Sequence, residues 1–304
     1  MSPVVYALPG NEALAAALVE PLRAQAGALV LRQFPDEETY LRVEQPAGGR
    51  DVIIAATLDR PNGKLVNLYL LASTLRAAGA RRIVLAAPYL AYMRQDHVFH
   101  EGEGVSAAHI AAWLSSFLDG IVTVEPHLHR IHALSEVYRI PAQATHAAPA
   151  IGRWLRDNVR QPLLIGPDEE SANWIIEVAQ TANCRYVISK KIRHGDRDVN
   201  VSMPGIEAYP EHTPVLVDDI VSSGATMIET VHRLRALGRP APVCVAVHAV
   251  FAEDAYTRLR HAGADRIVTC NTIAHVTNAI DVHREIAIAT MDMLTGLNAA
   301  RAVA

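Results

Sequence analysis

One strand–helix–strand phrase occurs twice in this chain, about half a chain length apart. DVIIAAT (51–57) is a short, nearly continuous apolar run, the signature of a strand buried on both faces. Leu65, Leu68, Leu71 and Leu75 then recur at helical spacing between Lys64 and Ala78, and Gly79 supplies the stop. RRIVLAAPYL (81–90) gives the next strand. The same order returns as PVLVDDI (214–220), MIETVHRLRALG (227–238) and PVCVAVHAVF (242–251), and even the helix ends agree, LRAAG at 75–79 with LRALG at 234–238. Duplication explains this more economically than a chance likeness of two Leu- and Ala-rich helix ends. The expectation is an α/β protein of two similar domains, 1–145 and 146–304. Each should be a mainly parallel sheet covered by helices, with right-handed crossovers.

Composition narrows what such a pair can do. Half of the 304 residues are apolar and a fifth charged, as in a soluble globular protein. A net charge of -4 and a pI near 6.4 give no general pull toward nucleic acid or anionic membrane, so any anion site must be built locally. Cys184, Cys244 and Cys270 have neither metal-ligand spacing nor a disulfide framework's even count, and read as reduced thiols. The N-terminus lacks a basic stretch and meets Glu12 before any long apolar run. Runs such as Val52–Ala56 fall far short of the roughly 20 residues that span a bilayer. A cytoplasmic protein is expected.

If the halves are copies, their differences mark the chemistry. Where the first has Ala55-Ala56-Thr57, the second has Asp218 and Asp219, followed by Ser222, Ser223, Gly224, Ala225 and Thr226 before a helix begins. Ligands of open α/β sheets sit beyond the carboxyl ends of strands. Small residues let backbone N–H groups approach a phosphate, hydroxyls add donors, and the helix start adds partial positive charge. Two neighbouring carboxylates can accept hydrogen bonds from a vicinal diol. A sugar carrying a phosphate and adjacent hydroxyls suits both parts; a helix cap beside a solvated turn is the plainer alternative.

VLVDDIVSSGATM (215–227) resembles the phosphoribosyl diphosphate motif shared by type I phosphoribosyltransferases and ribose-phosphate diphosphokinases. Further segments resemble the diphosphokinases alone, closest in style to their shorter archaeal-like members. In 87–114, Arg94, Gln95 and Asp96 match an Arg-Gln-Asp triplet after a Pro-Tyr strand end; without the family, Arg94 and Asp96 would read as a surface ion pair. VTVEPHLHRIH (122–132) places His127 at the family's His near the metal-bound phosphates, with Glu125 where Asp is frequent. The neighbouring His129 and His132 leave a zinc site as a rival reading. LLIGPDEESANW (163–174) sets Asp168 where the family has an aspartate near magnesium, although Glu169, Glu170 and Ser171 replace the usual small residues. SKKIRHGDRDVNV (189–201) is a basic segment whose Lys191 and Arg193 match the family's catalytic loop; alone, it would read as a solvated hairpin tip. FPDEETYLRV (34–43) resembles the loop that meets adenine from a neighbouring subunit, with Phe34, Asp36 and Glu38 matching.

The resemblance implies two type I phosphoribosyltransferase-like domains, the first contributing ATP-binding segments (Phe34, Asp36, Glu38, Arg94, Gln95, Asp96). The second would hold ribose 5-phosphate at Asp218, Asp219 and Ser222–Thr226 and carry the basic flag. It implies an enzyme that moves the diphosphate of ATP onto ribose 5-phosphate. Lys191, Arg193 and His127 would be catalytic, Mg2+ the cofactor at His127 and Asp168, and the assembly a homo-oligomer of at least two chains. A phosphoribosyltransferase or a non-catalytic regulatory subunit of the same fold are the rivals.

Overall fold

The computed structural model describes residues 1–303, apart from Pro46, His129, Asp168–Glu170 and Gly195–Arg197; at Asn173, 190–202 and 300–303 it describes the backbone alone. The chain divides into two compact units, Met1–His146 with His283–Ala304, and Ala147–Val282. The expectation of a second domain unbroken from 146 to 304 differs from this at its last helix. Among the described residues no helix is long and apolar enough to cross a membrane.

The first unit runs β1 (Val4–Ala7), α1 (Glu12–Val19), β2 (Gln25–Ala26), a hairpin of β3 (Leu29–Gln33) and β4 (Thr39–Val43), then β5 (Asp51–Ala55) and α2 (Pro61–Ala77). β6 (Arg82–Ala87), α3 (Ser106–Ser115), β7 (Gly120–Val124) and β8 (Ala142–Thr145) complete it. Its main sheet has the order β2-β1-β5-β6-β7-β8, parallel throughout. β5, β6 and β7 are buried along their whole lengths, which explains their unbroken apolar sequences. The predicted apolar face of α2 is the one it buries, through Leu65, Leu68, Leu71 and Leu75. The helix begins at Pro61, earlier than the Leu spacing indicates, because proline's fixed φ suits a first turn that needs no N–H. Gly79, with φ +83°, ends it as expected.

The charged exceptions in these strands, Asp51 and Arg82, lie at their amino ends. The Asp51 carboxylate accepts four hydrogen bonds of 2.5 to 2.8 Å from Arg81 and Arg82, and Arg82 also donates to Asn298 at 2.7 Å. Burial pushes the Asp51 carboxyl up, but the two guanidinium groups outweigh it and hold the pKa at about 2.

The second unit runs α4 (Ala148–Asn158), β9 (Pro162–Gly166), α5 (Ala172–Ala182), β10 (Arg185–Ile188), a hairpin of β11 (Lys190–His194) and β12 (Asp198–Ser202), then β13 (Thr213–Ile220) and α6 (Ala225–Ala236). β14 (Val243–His248), α7 (Ala255–Ala262), β15 (Arg266–Cys270) and β16 (Asn278–Ile280) follow. The sheet order β10-β9-β13-β14-β15-β16, again all parallel, repeats that of the first unit strand for strand. The hairpin also falls at the same place in each half, between the second and third strands of the main sheet. The duplication read in the sequence is therefore a duplication of topology. Cys184, Cys244 and Cys270 are free thiols; burial pushes the pKa of Cys184 to about 11 and that of Cys244 to about 12.

The last helix, α8 (His283–Val303), packs on α1, β7 and β8 of the first unit. It passes close over β7: a Cβ added to Gly120 would lie 3.0 Å from Met293 Sδ, so that position has little room for a side chain. α4 occupies the matching place in the second unit, against α5 and β16. In chain order α4 closes the first repeat and α8 closes the second, so each repeat's terminal helix belongs to the other's unit. An apolar helix face in the sequence announces that it will be buried, but not against which sheet.

Candidate active site

β13 leaves its buried stretch at Val217 and delivers Asp218 and Asp219, both half-buried, at its carboxyl end, with Asp218 in register with Ala246 of β14. Each carboxylate accepts the N–H of the residue after it, Asp219 N to Asp218 Oδ1 at 3.0 Å and Ile220 N to Asp219 Oδ1 at 2.7 Å, which fixes the direction of both acids. The turn that follows is held from behind. The carbonyls of Val221, Ser222 and Ser223 accept from Phe251 N, Ala252 N and the Arg258 guanidinium at 2.8, 3.0 and 2.9 Å. With its carbonyls engaged there, the turn enters α6 through Gly224 at φ +70°, a left-handed conformation that disfavours any side chain. The first N–H groups of α6 have no intrahelical acceptor and carry the positive end of the helix dipole. Asp218 and Thr226 line one small hollow with Pro167. The expected neighbours are thus together, acids beside a helix start.

The end of β9 lies alongside. Gly166 admits no Cβ, which would meet Ile175 Cγ1 at 2.9 Å and Ile188 Cδ1 at 3.0 Å, and its carbonyl accepts the Ser189 N–H at 2.9 Å. The segment that leads to Asp168 and the base of the β11–β12 hairpin therefore start from one point. Asp168, Glu169 and Glu170 lie outside the described residues, as do Gly195 and Arg197. Lys191 and Arg193 are two positions apart on β11, paired with Val201 and Val199 of β12.

In the first unit two adjacent strand ends, β6 and β7, carry the expected segments. Arg94 is exposed, while Gln95 accepts the Ser106 hydroxyl at its side-chain oxygen (3.0 Å) and the Ala107 N–H at its carbonyl (3.2 Å), fixing it to the start of α3. The Asp96 side chain is only 3% exposed, and it accepts the Arg130 N–H at 3.1 Å and its guanidinium at 3.2 Å. The reading of Asp96 as half of a surface pair is corrected here: the acid is buried, and Arg130 bonds it. Burial pushes the Asp96 carboxyl up, but the Arg130 amide and guanidinium more than offset that and hold it below its ordinary range.

Just after β7, Glu125 turns the chain with φ +35°, its N–H on the Thr145 carbonyl at 3.0 Å and its carboxylate 3.3 Å from His146 Nδ1. His127 follows, half-buried, and His132 donates its N–H to Glu136 at 2.9 Å. His129 lies outside the described residues, and among those described no three of His, Cys, Asp or Glu gather as a metal site.

Phe34, Asp36 and Glu38 sit at the tip of the β3–β4 hairpin. Phe34 N–H bonds the Glu38 carbonyl at 2.8 Å, the Glu38 N–H reaches Asp36 Oδ1 at 3.4 Å, and the Phe34 ring is 40% exposed. The Arg32 guanidinium covers the Phe34 and Tyr40 rings at 4.8 and 4.3 Å. The contacts of Arg32 with Phe34 and Tyr40 and of Arg130 with Asp96 were not legible: nothing in the sequence joins Arg130 to Asp96, and Arg32 belongs to an ordinary exposed strand pattern.

Family models match both halves: the N-terminal domain of ribose phosphate pyrophosphokinase over residues 4–117, and a phosphoribosyl transferase domain over residues 133–286. The chain belongs to the ribose-phosphate pyrophosphokinase family. It is 31% identical to the ribose-phosphate pyrophosphokinase of Sulfolobus acidocaldarius over 82% of this chain and 86% of that protein. With the one from Methanothermobacter thermautotrophicus it shares 28% over 92% and 96%. The crystal structure of phosphoribosylpyrophosphate synthetase from Mycobacterium smegmatis has the same fold, with a TM-score of 0.81 over 97% of this chain and 99% of that one at 20% identity. The resemblance to ribose-phosphate pyrophosphokinases of archaeal style is thereby borne out.

Proposed function

We propose that this chain catalyses the reaction its family is named for, transfer of the β,γ-diphosphate of ATP to the anomeric hydroxyl of ribose 5-phosphate. The observation that carries this reading is the pairing of Asp218 and Asp219 with the helix start behind Ser222–Thr226, a site matched to a phosphorylated sugar with a free diol. The acids take the hydroxyls and the helix start takes the 5-phosphate. The anomeric oxygen forms a bond to the β-phosphorus as the bond from that phosphorus to the oxygen bridging toward the α-phosphorus breaks, and AMP leaves with the electron pair. Such transfers depend mainly on alignment and on neutralising the charge of the equatorial oxygens. Lys191 and Arg193 on the hairpin supply that charge.

The magnesium enters with ATP as part of the substrate. A phosphate-bound magnesium takes most of its ligands from phosphate and water and needs only one or two protein groups. His127 and Asp168 are the groups we assign to it. Arg94, Gln95 and Asp96 form the nucleotide segment. The exposed ring and acids at the tip of the β3–β4 hairpin serve a neighbouring chain's adenine site, so the active unit is at least a dimer. Three free thiols suit a reducing compartment, and we place the enzyme in the cytoplasm.

Incubation with ATP, magnesium and ribose 5-phosphate tests the reading. Stoichiometric AMP and phosphoribosyl diphosphate are expected; hydrolysis to ADP, or transfer of the phosphoribosyl group of phosphoribosyl diphosphate onto a base with release of diphosphate, would overturn it.

A further inference from the structure

We infer that Arg130 is a positioning residue that latches the nucleotide segment to the end of β7, and that Asp96 is its partner in the latch. The functional consequence rests on the reading of Arg94 as an ATP contact. Between β6 and α3 the chain makes a long excursion, and its internal bonds close it into one piece: Glu103 Oε2 accepts the Phe99 N–H at 2.8 Å, and Gln95 holds the start of α3 through Ser106 and Ala107. This piece is tied to the loop after β7 by Arg130. Its N–H and guanidinium both reach the Asp96 carboxylate, at 3.1 and 3.2 Å, and the guanidinium also lies 5.2 Å from the centre of the Phe99 ring. A charged donor engaging a buried carboxylate while packed on a ring of the same loop fixes the middle of the excursion, from Asp96 to Phe99, to the loop after β7.

The chemistry argues against a direct contact between Asp96 and ATP. A carboxylate facing the polyphosphate would repel it, whereas one turned away and neutralised by Arg130 leaves Arg94, two residues earlier and exposed, as the charge presented. Asp96 thus acts through the loop it anchors. Neither residue's separation in sequence nor its local pattern signals the tie; adjacent pairing of β6 with β7 brings the two loops together.

A double-mutant cycle in steady-state kinetics separates this from two independent ATP contacts. Asp96→Asn and Arg130→Ala should each raise KM for ATP by about tenfold, the scale of one lost charge-assisted hydrogen bond, with KM for ribose 5-phosphate within about twofold of wild type. The double variant should then show about the same tenfold rise, because the second substitution finds the latch already open. A rise of about a hundredfold, or an Arg130→Ala enzyme with unchanged KM for ATP, would overturn the latch. Hydrogen exchange over residues 94–107 tests it without reference to activity, and so stands even if the wild-type chain makes no phosphoribosyl diphosphate. Faster exchange in Arg130→Ala with the rest of the first unit unchanged supports the latch; protection equal to wild type refutes it.

Discussion

The β3–β4 and β11–β12 hairpins occupy the same place in the two repeats, yet they have diverged into different tools. Each follows the second strand of its sheet and precedes the third, and each is a ribbon of two five-residue strands. The first carries a ring and three acids at its tip, Phe34 with Asp36, Glu37 and Glu38, with Arg32 stacked beneath. The second is basic, with Lys190, Lys191, Arg193 and His194 on its leading strand. A detached hairpin is an element that can change its charge without disturbing a parallel core, because its ladder hydrogen bonds are its own. Duplication supplied two such ribbons, and the proposed function uses one for a base and the other for phosphates.

The strand ends tell the same story. Behind β13 stand Asp218 and Asp219, whereas behind β5 the Thr57 N–H is satisfied by the buried Asn11 side chain at 2.7 Å, and Lys64 pairs with Asp59 just beyond. In the first copy the strand end and the loop before the helix are engaged by side chains of the same unit. The second keeps small residues there, Ser222 to Thr226, which leave room for the ligand that the proposed function puts at this helix start.

The largest effect that this contrast predicts is at the basic hairpin. Lys191→Ala should lower kcat by about 10²- to 10³-fold with substrate affinities nearly unchanged, since loss of one preorganised charge contact in the transition state costs roughly 3 to 4 kcal/mol. A near-normal turnover at saturating substrates would reduce the second hairpin to a solvated tip like any other. At the strand end, Asp218→Asn should cost about 10- to 150-fold in kcat/KM, from the roughly 1.5 to 3 kcal/mol of a charged hydrogen bond, and the loss should follow ribose 5-phosphate. Were only the ATP constant to move, the acids would belong to the other substrate.

A third measurement contrasts the cores. Asp51 and Arg82 form a buried ion pair in the first unit, where the second has Pro214 and Pro242 at the corresponding strand starts. The folded pKa of Asp51, about 2, lies below its unfolded value of about 3.9. The stabilisation is therefore complete above about pH 4 and is lost as the pH falls toward 2; it is worth about 2 kcal/mol. Hydrogen exchange followed from pH 5 to pH 2.5 should show the first unit loosening before the second, and Asp51→Asn should abolish the difference. The smallest effect is at the other hairpin. Phe34→Ala should raise KM for ATP by about tenfold, within the roughly 1 to 3 kcal/mol of an aromatic stack on a base. KM for ribose 5-phosphate should stay put; equal rises in both constants would mean that the tip supports folding rather than adenine.

The repeat was legible because buried parallel strands write themselves as short apolar runs and their helices as a Leu stripe, both local signals. Gly79 and Gly224 were legible for the same reason, since a helix stop and a helix start each have residue signatures. The adjacency of Asp218 to the Ser222–Thr226 turn needed no long-range information. What could not be read were the pairings across distance, of Asp96 with Arg130 and of Arg82 with Asn298, because a charged residue names its partner's sign and not its position. The burial of Asp96 was missed for that reason, and Asp168 and the side chains of Lys191 and Arg193 rest on the sequence alone.

The reciprocal placement of α4 and α8 has a consequence for how such a chain can evolve and be dissected. A cut after α4 would give two fragments, each deprived of the helix that seals its sheet and each carrying the one that seals the other's. Truncation after Val282 would strip the cover from β7 and β8 and remove the Met293 side chain that packs over Gly120. The two repeats are therefore bound in a mutual dependence that a simple tandem duplication lacks: divided after α4, each leaves a gap that the other's terminal helix fills.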